Sequence, residues 1–305
     1  MAHQPALTQS REYAEALCRT VRCRARFFLI HDAHGLVRGM TAILVREAWW
    51  LGGGARINRG PVACGSPWND EERSRFLWAL RQAAFRQRWW YLRCAFGWPE
   101  TPETRNLLAA TGWRHLPGHD PWGSHRLSLR AGTEALRANL LGKWRNLLGK
   151  AERMGCVIRT GVTEERLREL LDGYAAFQRD KGFDGISLPL LRALASRRGQ
   201  NWGFHLLTAH APDGREAIGS LVTITHGDGA TWLIGMTSEE GRRRLVNYPL
   251  LWRAILDARE QGLAWFDLGG VNAATPAGIR HFKEGVGATP YLLVGEWSWG
   301  FWRSW

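Results

Sequence analysis

The sequence predicts an α/β (α+β) protein of two tandem domains, each a mixed β-sheet flanked by helices. Three observations carry this expectation. The chain has 305 residues, enough for two domains of ordinary size. Hydrophobic residues make up 45% of it, enough to bury real cores. One order of elements can be read twice along it: helix, β-hairpin, strand, helix, strand. The expected division is 1–131 and 132–305, with a final strand and Trp-rich tail (about 288–305) packing back on the first domain.

The first copy opens on a helix from Glu12 to Arg24. Arg26 to His31 and Leu36 to Arg46 read as strands of a hairpin, with Gly35 supplying a positive φ in the turn. His31 and His34 flank that turn and should face solvent. Trp49 to Leu51 and Gly60 to Ala63 read as short strands. Asn69 caps a helix to about Gln87, with Phe76, Leu80 and Ala84 on one stripe. Trp89 to Phe96 reads as a strand and Thr101 to Thr111 as a helix.

Between the copies, Thr133 to Met154 predicts one amphipathic helix. Leu136, Leu140, Trp144, Leu147, Ala151 and Met154 form its apolar stripe, beside a polar stripe of Asn139, Lys143, Asn146, Lys150 and Arg153. The second copy follows. Thr163 to Lys181 is a helix with Leu167, Leu170, Leu171, Tyr174 and Phe177 on one face, and Leu188 to Arg197 continues as helix. Trp202 to His210 and Glu216 to His226 make a hairpin, Ala230 to Thr237 a third strand, Asn247 to Gln261 a helix and Leu263 to Leu268 a strand.

The formal charge of +13 favours polyanionic partners such as RNA, phospholipid headgroups or diphosphate-linked substrates. Five scattered cysteines with no Cys-x-x-Cys pair argue against a disulfide framework and against a zinc site. No signal peptide or membrane span is legible, so the expected location is the cytoplasm, with peripheral contact to the inner face of the membrane left open. No Ser/His/Asp set, Gly-x-Ser-x-Gly elbow, P-loop or metal-ligand spacing is present.

The densest signal is Trp265-Phe-Asp-Leu-Gly-Gly-Val-Asn272, followed by Thr275-Pro-Ala-Gly-Ile-Arg-His-Phe-Lys-Glu-Gly-Val-Gly287. It reads as a strand, a Gly-Gly break and a short helix, with Thr275 as N-cap, Pro276 at the first helical position, and Gly285 and Gly287 at the exit. A glycine-rich strand end lets a ligand approach the backbone, and Lys283 just beyond it is placed to meet an anion.

This stretch resembles the tail of the Fem family of peptidoglycan aminoacyltransferases, where a strand ending Asp-x-Gly-Gly precedes Phe-Lys-x-x-x-Gly. Three further segments carry the resemblance: Lys143-Trp-Arg-Asn-Leu-Leu-Gly-Lys-Ala-Glu152, Phe177-Gln-Arg-Asp-Lys-Gly-Phe183 and Arg59-Gly-Pro-Val62. Together they span roughly residues 25 to 295, more loosely in the first domain. The repeated element order is that of the GNAT acyltransferase fold. The resemblance implies transfer of an aminoacyl group from aminoacyl-tRNA to an amine of a lipid- or nucleotide-linked peptidoglycan precursor, with no bound cofactor, no metal and no DNA partner.

It implies catalytic roles for Lys283 and Asp267. It implies substrate binding by Arg179, Lys181, Asn247, Tyr248, Gly269, Gly270 and Phe282, and tRNA or anion contacts by Lys143, Arg145, Asn146 and Lys150. Two departures stand out. No room exists for the long helical arm of some relatives, and Tyr91 to Phe96 lacks the acidic residue that would supply a general base. Two other readings stay open. One is an acyl-CoA- or acyl-carrier-dependent N-acyltransferase, for which Arg242 to Arg244 before the helix at Asn247 are the best sign. The other is a non-catalytic protein that binds nucleic acid or anionic membrane.

Overall fold

The computed structural model describes residues 5–32, 34–47, 52–118 and 121–300. A 3₁₀ turn (Leu7–Gln9) leads to α1 (Arg11–Thr20), the hairpin β1 (Arg24–His31) and β2 (Val37–Glu47), then β3 (Gly53–Gly60) and β4 (Val62–Ala63). Next come α2 (Asp70–Arg86), β5 (Trp89–Phe96), α3 (Pro102–Ala110) and β6 (Arg114–His115). β7 (Gly123–Ser128), α4 (Thr133–Asn139), α5 (Gly142–Arg153) and β8 (Val157–Thr160) precede α6 (Glu164–Lys181) and α7 (Leu188–Ala195). The second hairpin is β9 (Trp202–His210) and β10 (Ala217–His226), followed by β11 (Gly229–Thr237), α8 (Glu239–Arg243), α9 (Asn247–Glu260) and β12 (Trp265–Asp267). α10 (Ala277–Glu284), β13 (Thr289–Leu292) and β14 (Glu296–Gly300) complete the described chain.

The chain divides into two compact units, Met1–Gly123 with Tyr291–Trp305, and Ser124–Pro290. Each has a mixed sheet, ordered β1-β2-β3-β5-β14-β6 in the first and β13-β7-β12-β11-β10-β9-β8 in the second. The repeat is visible in the pairing. β1–β2 and β2–β3 are antiparallel and β3–β5 parallel; β9–β10 and β10–β11 are antiparallel and β11–β12 parallel. In both sheets the fourth strand then meets an antiparallel strand from outside its own repeat, β14 against β5 and β7 against β12. β7 therefore belongs to the second sheet, and the expected division after residue 131 falls too late. The polar run Gly-Ser-His-Arg hid this strand, because no hydrophobic alternation marks it.

Local chemistry sets the elements as read. Asn69 and Glu72 form a reciprocal capping box on α2. Thr101 caps α3 with Pro102 in its first turn. Gly182, at φ +61°, ends α6 in the left-handed region. Tryptophans fill the first unit's core, where Phe96 stacks on Trp98 at 4.7 Å above Ile43, Ile57 and Leu92. In the second unit, alternation sends Leu207 to one core, with Leu148, Leu251 and Phe266, and Leu206 to the other, with Leu171 and Leu191.

Two expectations for these elements need correction, and a third is not tested. The helix expected over Thr133 to Met154 is two helices, since Leu140 and Leu141 are extended. The break is anchored: Leu141 N–H donates to Gly285 O (2.9 Å) and Asn139 Nδ2 to Gly287 O (2.8 Å). Thr275 does not cap α10. The N-cap is Pro276, and Thr275 Oγ1 instead exchanges hydrogen bonds with Asn272. The first repeat's third strand runs Gly53–Gly60, and the strand expected at Trp49 to Leu51 lies outside the described residues. All five cysteines are free thiols, with Cys18 and Cys23 Sγ 3.1 Å apart. No described helix is long and apolar enough to cross a membrane.

Candidate active site

The two repeats differ where their parallel strands meet. β3 and β5 stay paired from Gly53–Trp89 to Gly60–Phe96, with a register shift near each end. β11 and β12 pair only from Gly229–Trp265 to Thr231–Asp267, after which β11 runs on to Thr237 paired with β10 and without β12. Just beyond the last pair the β10–β11 register skips Leu233, a bulge that bends β11 beside the split. A crevice beyond the carboxyl ends of diverging parallel strands is where open sheets bind ligands, because backbone groups there lack a strand partner.

The Gly-Gly break lies at this point. Gly269 has φ +73°, and a Cβ there would stand 2.6 Å from Trp232 O, so the position requires glycine. Asp267 is buried and holds the turn: its Oδ1 accepts from Gly269 N (2.9 Å) and from the Ser124 hydroxyl (2.6 Å), and Arg126 lies 3.6 Å from Oδ2. Lys283 reaches in from α10 and is only 7% exposed. Its Nζ donates to Gly269 O (3.1 Å) and Gly270 O (2.8 Å) and stands 5.0 Å from the Trp232 ring centroid. Burial pulls the Lys283 pKa down to about 8, against the opposing pull of the Asp267 carboxylate.

Phe282 closes the cluster on the apolar side. Its ring packs against Tyr248 (5.0 Å), Trp144 (5.7 Å) and Trp232 (6.0 Å), and its carbonyl accepts from Trp144 Nε1 (3.0 Å). Trp144 packs so tightly on the end of α10 that a Cβ at Gly285 would come within 2.5 Å of its ring. Polar atoms are left over here. His125 Nδ1 and Trp232 Nε1 are buried and have no hydrogen-bond partner among the described residues. Burial lowers the His125 pKa; Glu284 and Asp267 oppose this, and Lys283 and Arg280 add to it. The imidazole is therefore neutral near pH 7.

The structure thus brings together Asp267, Gly269, Gly270, Phe282, Lys283 and Tyr248. It does not bring Arg179 and Lys181 to them: both are exposed at the end of α6, and Lys181 pairs with Asp180 at 2.8 Å. Asn247 is exposed at the start of α9. Lys143, Arg145, Asn146 and Lys150 lie on the exposed face of α5. Sequence reasoning missed Ser124, His125 and Arg126, which sit on the unrecognised strand β7, and Trp232, which reads as one more core aromatic. Among the described residues no group of His, Cys, Asp and Glu is placed to hold a metal ion.

Residues 135–291, just over half of the chain, match the acetyltransferase (GNAT) domain family. No curated protein sequence matches. Among solved structures, the crystal structure of FemX superposes with a TM-score of 0.80 at 15% identity, covering 98% of this chain and 94% of that one. L-PGS from Bacillus licheniformis gives 0.51 at 13%, covering 98% and 94%. A tandem GNAT protein from the clavulanic acid biosynthesis pathway gives 0.55 at 13%, covering 99% and 91%. At these identities the likeness is one of fold. The family match over just over half of the chain leads to one conclusion, with which the repeated sheet and the fold it shares with FemX agree: the chain belongs to the acetyltransferase (GNAT) domain family.

Proposed function

We propose that this acyltransferase moves an aminoacyl group from aminoacyl-tRNA to an amine of a peptidoglycan precursor. The observation that carries the reading is the Phe282–Lys283 pair, seated at the split of β11 and β12 and bonded to the Gly269–Gly270 break. It is the motif on which the Fem resemblance rests. The fold shared with FemX along nearly the whole chain supports it.

An aminoacyl ester is already activated, so the protein needs no nucleophile of its own; positioning and charge stabilisation suffice. The lone pair of the acceptor's neutral amine nitrogen bonds to the ester carbonyl carbon, and negative charge gathers on the carbonyl oxygen. The nitrogen, now positively charged, gives up one proton to neutral His125 at its buried and unpartnered Nδ1. Two of the three Lys283 N–H groups are held by Gly269 and Gly270, and the third stabilises the oxyanion. Collapse breaks the ester C–O bond, and the ribose oxygen leaves with the proton from His125. The products are an amide and a free tRNA 3′ end. Asp267 and Ser124 are positioning residues that fix the glycine turn.

The second reading is an acyl-CoA donor, favoured by the family match and by Arg242 to Arg244 just before α9. A pyrophosphate cradle needs free backbone N–H groups at that helix start. Here most of them are already used. Arg244 N–H donates to Glu240 O, Leu245 N–H to Arg242 O, Val246 N–H to Gly241 O and Tyr248 N–H to Leu245 O. Arg243 is paired with Glu239 and Glu240, and Arg244 with Glu240. These bonds weigh toward the tRNA donor. Purified protein given labelled aminoacyl-tRNA in one arm and acyl-CoA in the other, each with peptidoglycan-precursor amines, separates the two readings. RNase-sensitive label on the precursor supports the first, and label from CoA alone replaces it with the second.

A further inference from the structure

We propose that the C-terminal half of α2 is a docking surface for an anionic lipid bilayer. Two large aromatic side chains stand out from this helix into solvent. Trp78 is 62% exposed and Phe85 82% exposed. They are seven residues apart, which sets them within about 20° of each other around the helix and about 10 Å apart along it. Both lie away from the stripe of Phe76, Leu77, Leu80 and Ala84 that packs into the core. Their exposure contributes nothing to the first unit's interior.

Charge is sorted along the same helix. Its acids, Asp70, Glu71 and Glu72, sit in the first turn, where they suit the positive end of the helix dipole. Each is paired, Asp70 with Arg73, Glu71 with Arg75 and Glu72 with Arg38. At the other end, Arg86 and Arg88 are exposed and have no ion-pair partner among the described residues. The turn that carries Arg88 is fixed: Arg88 is left-handed at φ 55°, with its N–H on Phe85 O (3.2 Å) and its carbonyl taken by Gly53 N–H (3.0 Å).

A surface with two aromatics beside two unpaired guanidinium groups fits the headgroup zone of a bilayer. Ring faces enter at the depth of the glycerol backbone, and arginines meet lipid phosphates. The chain's net charge of +13 draws it to a negative surface. A second copy of this chain is a poorer occupant, because a two-fold contact through the patch would set Arg86 and Arg88 against their own counterparts.

The test is cosedimentation of the full chain with vesicles of phosphatidylglycerol and phosphatidylethanolamine, and separately of phosphatidylcholine. Neither carries donor or acceptor, so the result is independent of the transfer reaction proposed above. The expected result is binding to the anionic vesicles and little to the zwitterionic ones. Trp78→Ser with Phe85→Ser should weaken it about tenfold or more, and Arg86→Gln with Arg88→Gln should weaken it several-fold. All four side chains are exposed, so both double variants should unfold at the wild-type temperature. Three results would overturn the proposal: no binding by the wild type, aromatic variants that bind as well as it does, or a dimer without vesicles that the aromatic variants lose.

Discussion

Lys283 carries two demands at once. Its ammonium is buried on a pair of glycine carbonyls, and the same charge is asked to meet an oxyanion. Replacing it with methionine keeps the stem and strands both carbonyls. The expected cost is about 1–3 kcal/mol in denaturant unfolding, with transfer lowered by about 10²-fold or more. The pH dependence has a definite sign. An ordinary lysine titrates near 10.4, and this one is held at about 8 in the fold. Between those values the unfolded chain binds more protons, so the fold gains stability as pH rises through the window. Below about pH 8 the penalty for the buried charge is fully present. Lys283→Met should remove that rise. Activity should move the other way in the wild type, falling as pH passes about 8 and the ammonium is lost.

His125 governs the acid limb of the same profile. Because burial lowers its pKa, transfer should hold up in mildly acid buffer, below the ordinary imidazole range. His125→Gln is expected to lower kcat about 10²-fold and to abolish the acid limb. A purely structural His125 would lower activity without changing the profile's shape, and that outcome removes it as the base.

The strand, break and helix from Trp265 to Gly287 were legible because each signal is local. A Gly-Gly pair after an apolar strand and a Phe-Lys pair in a short helix need no distant partner to be read. The other half of the site was not legible. Ser124 and Arg126 reach Asp267 only through β7, and the polar start of that strand, which also carries His125, has no periodicity to betray it. The two-helix break at Leu140–Leu141 was hidden for a similar reason: the apolar stripe runs straight across it, while the bonds that open it come from Gly285 and Gly287, far away in sequence. The split of β11 from β12 depends on the glycine turn. Gly269→Ala puts a side chain at φ +73° and 2.6 Å from Trp232 O. It should cost about 1–3 kcal/mol and lower transfer while leaving substrate binding on exposed surfaces intact. A variant as stable and as active as the wild type would show that the turn does not shape the crevice.

The whole chain is a repeat in which each sheet takes a strand from outside its own copy. That exchange explains why a division into contiguous halves, readable from element order, misplaced β7. The returning strand β14 is integral to the first unit. Trp297 is buried there with its Nε1 on Val294 O (3.0 Å), and Glu296 pairs with Arg56 and Arg93. Trp297→Ala should therefore cost about 3–5 kcal/mol, read as a lower denaturation midpoint. A cost near zero would mean that the C-terminal strand is only an appendage.

Only one of the two repeats has split parallel strands, so one transfer site per chain is expected, fed by a single activated donor. The most direct measurement follows label from aminoacyl-tRNA to a peptidoglycan-precursor amine, with Lys283→Met as control and acyl-CoA as the competing donor. Label that appears on the precursor, is lost on RNase treatment of the donor and falls about 10²-fold in the variant is the predicted result. Label that comes only from the CoA thioester, or that is indifferent to Lys283, contradicts it.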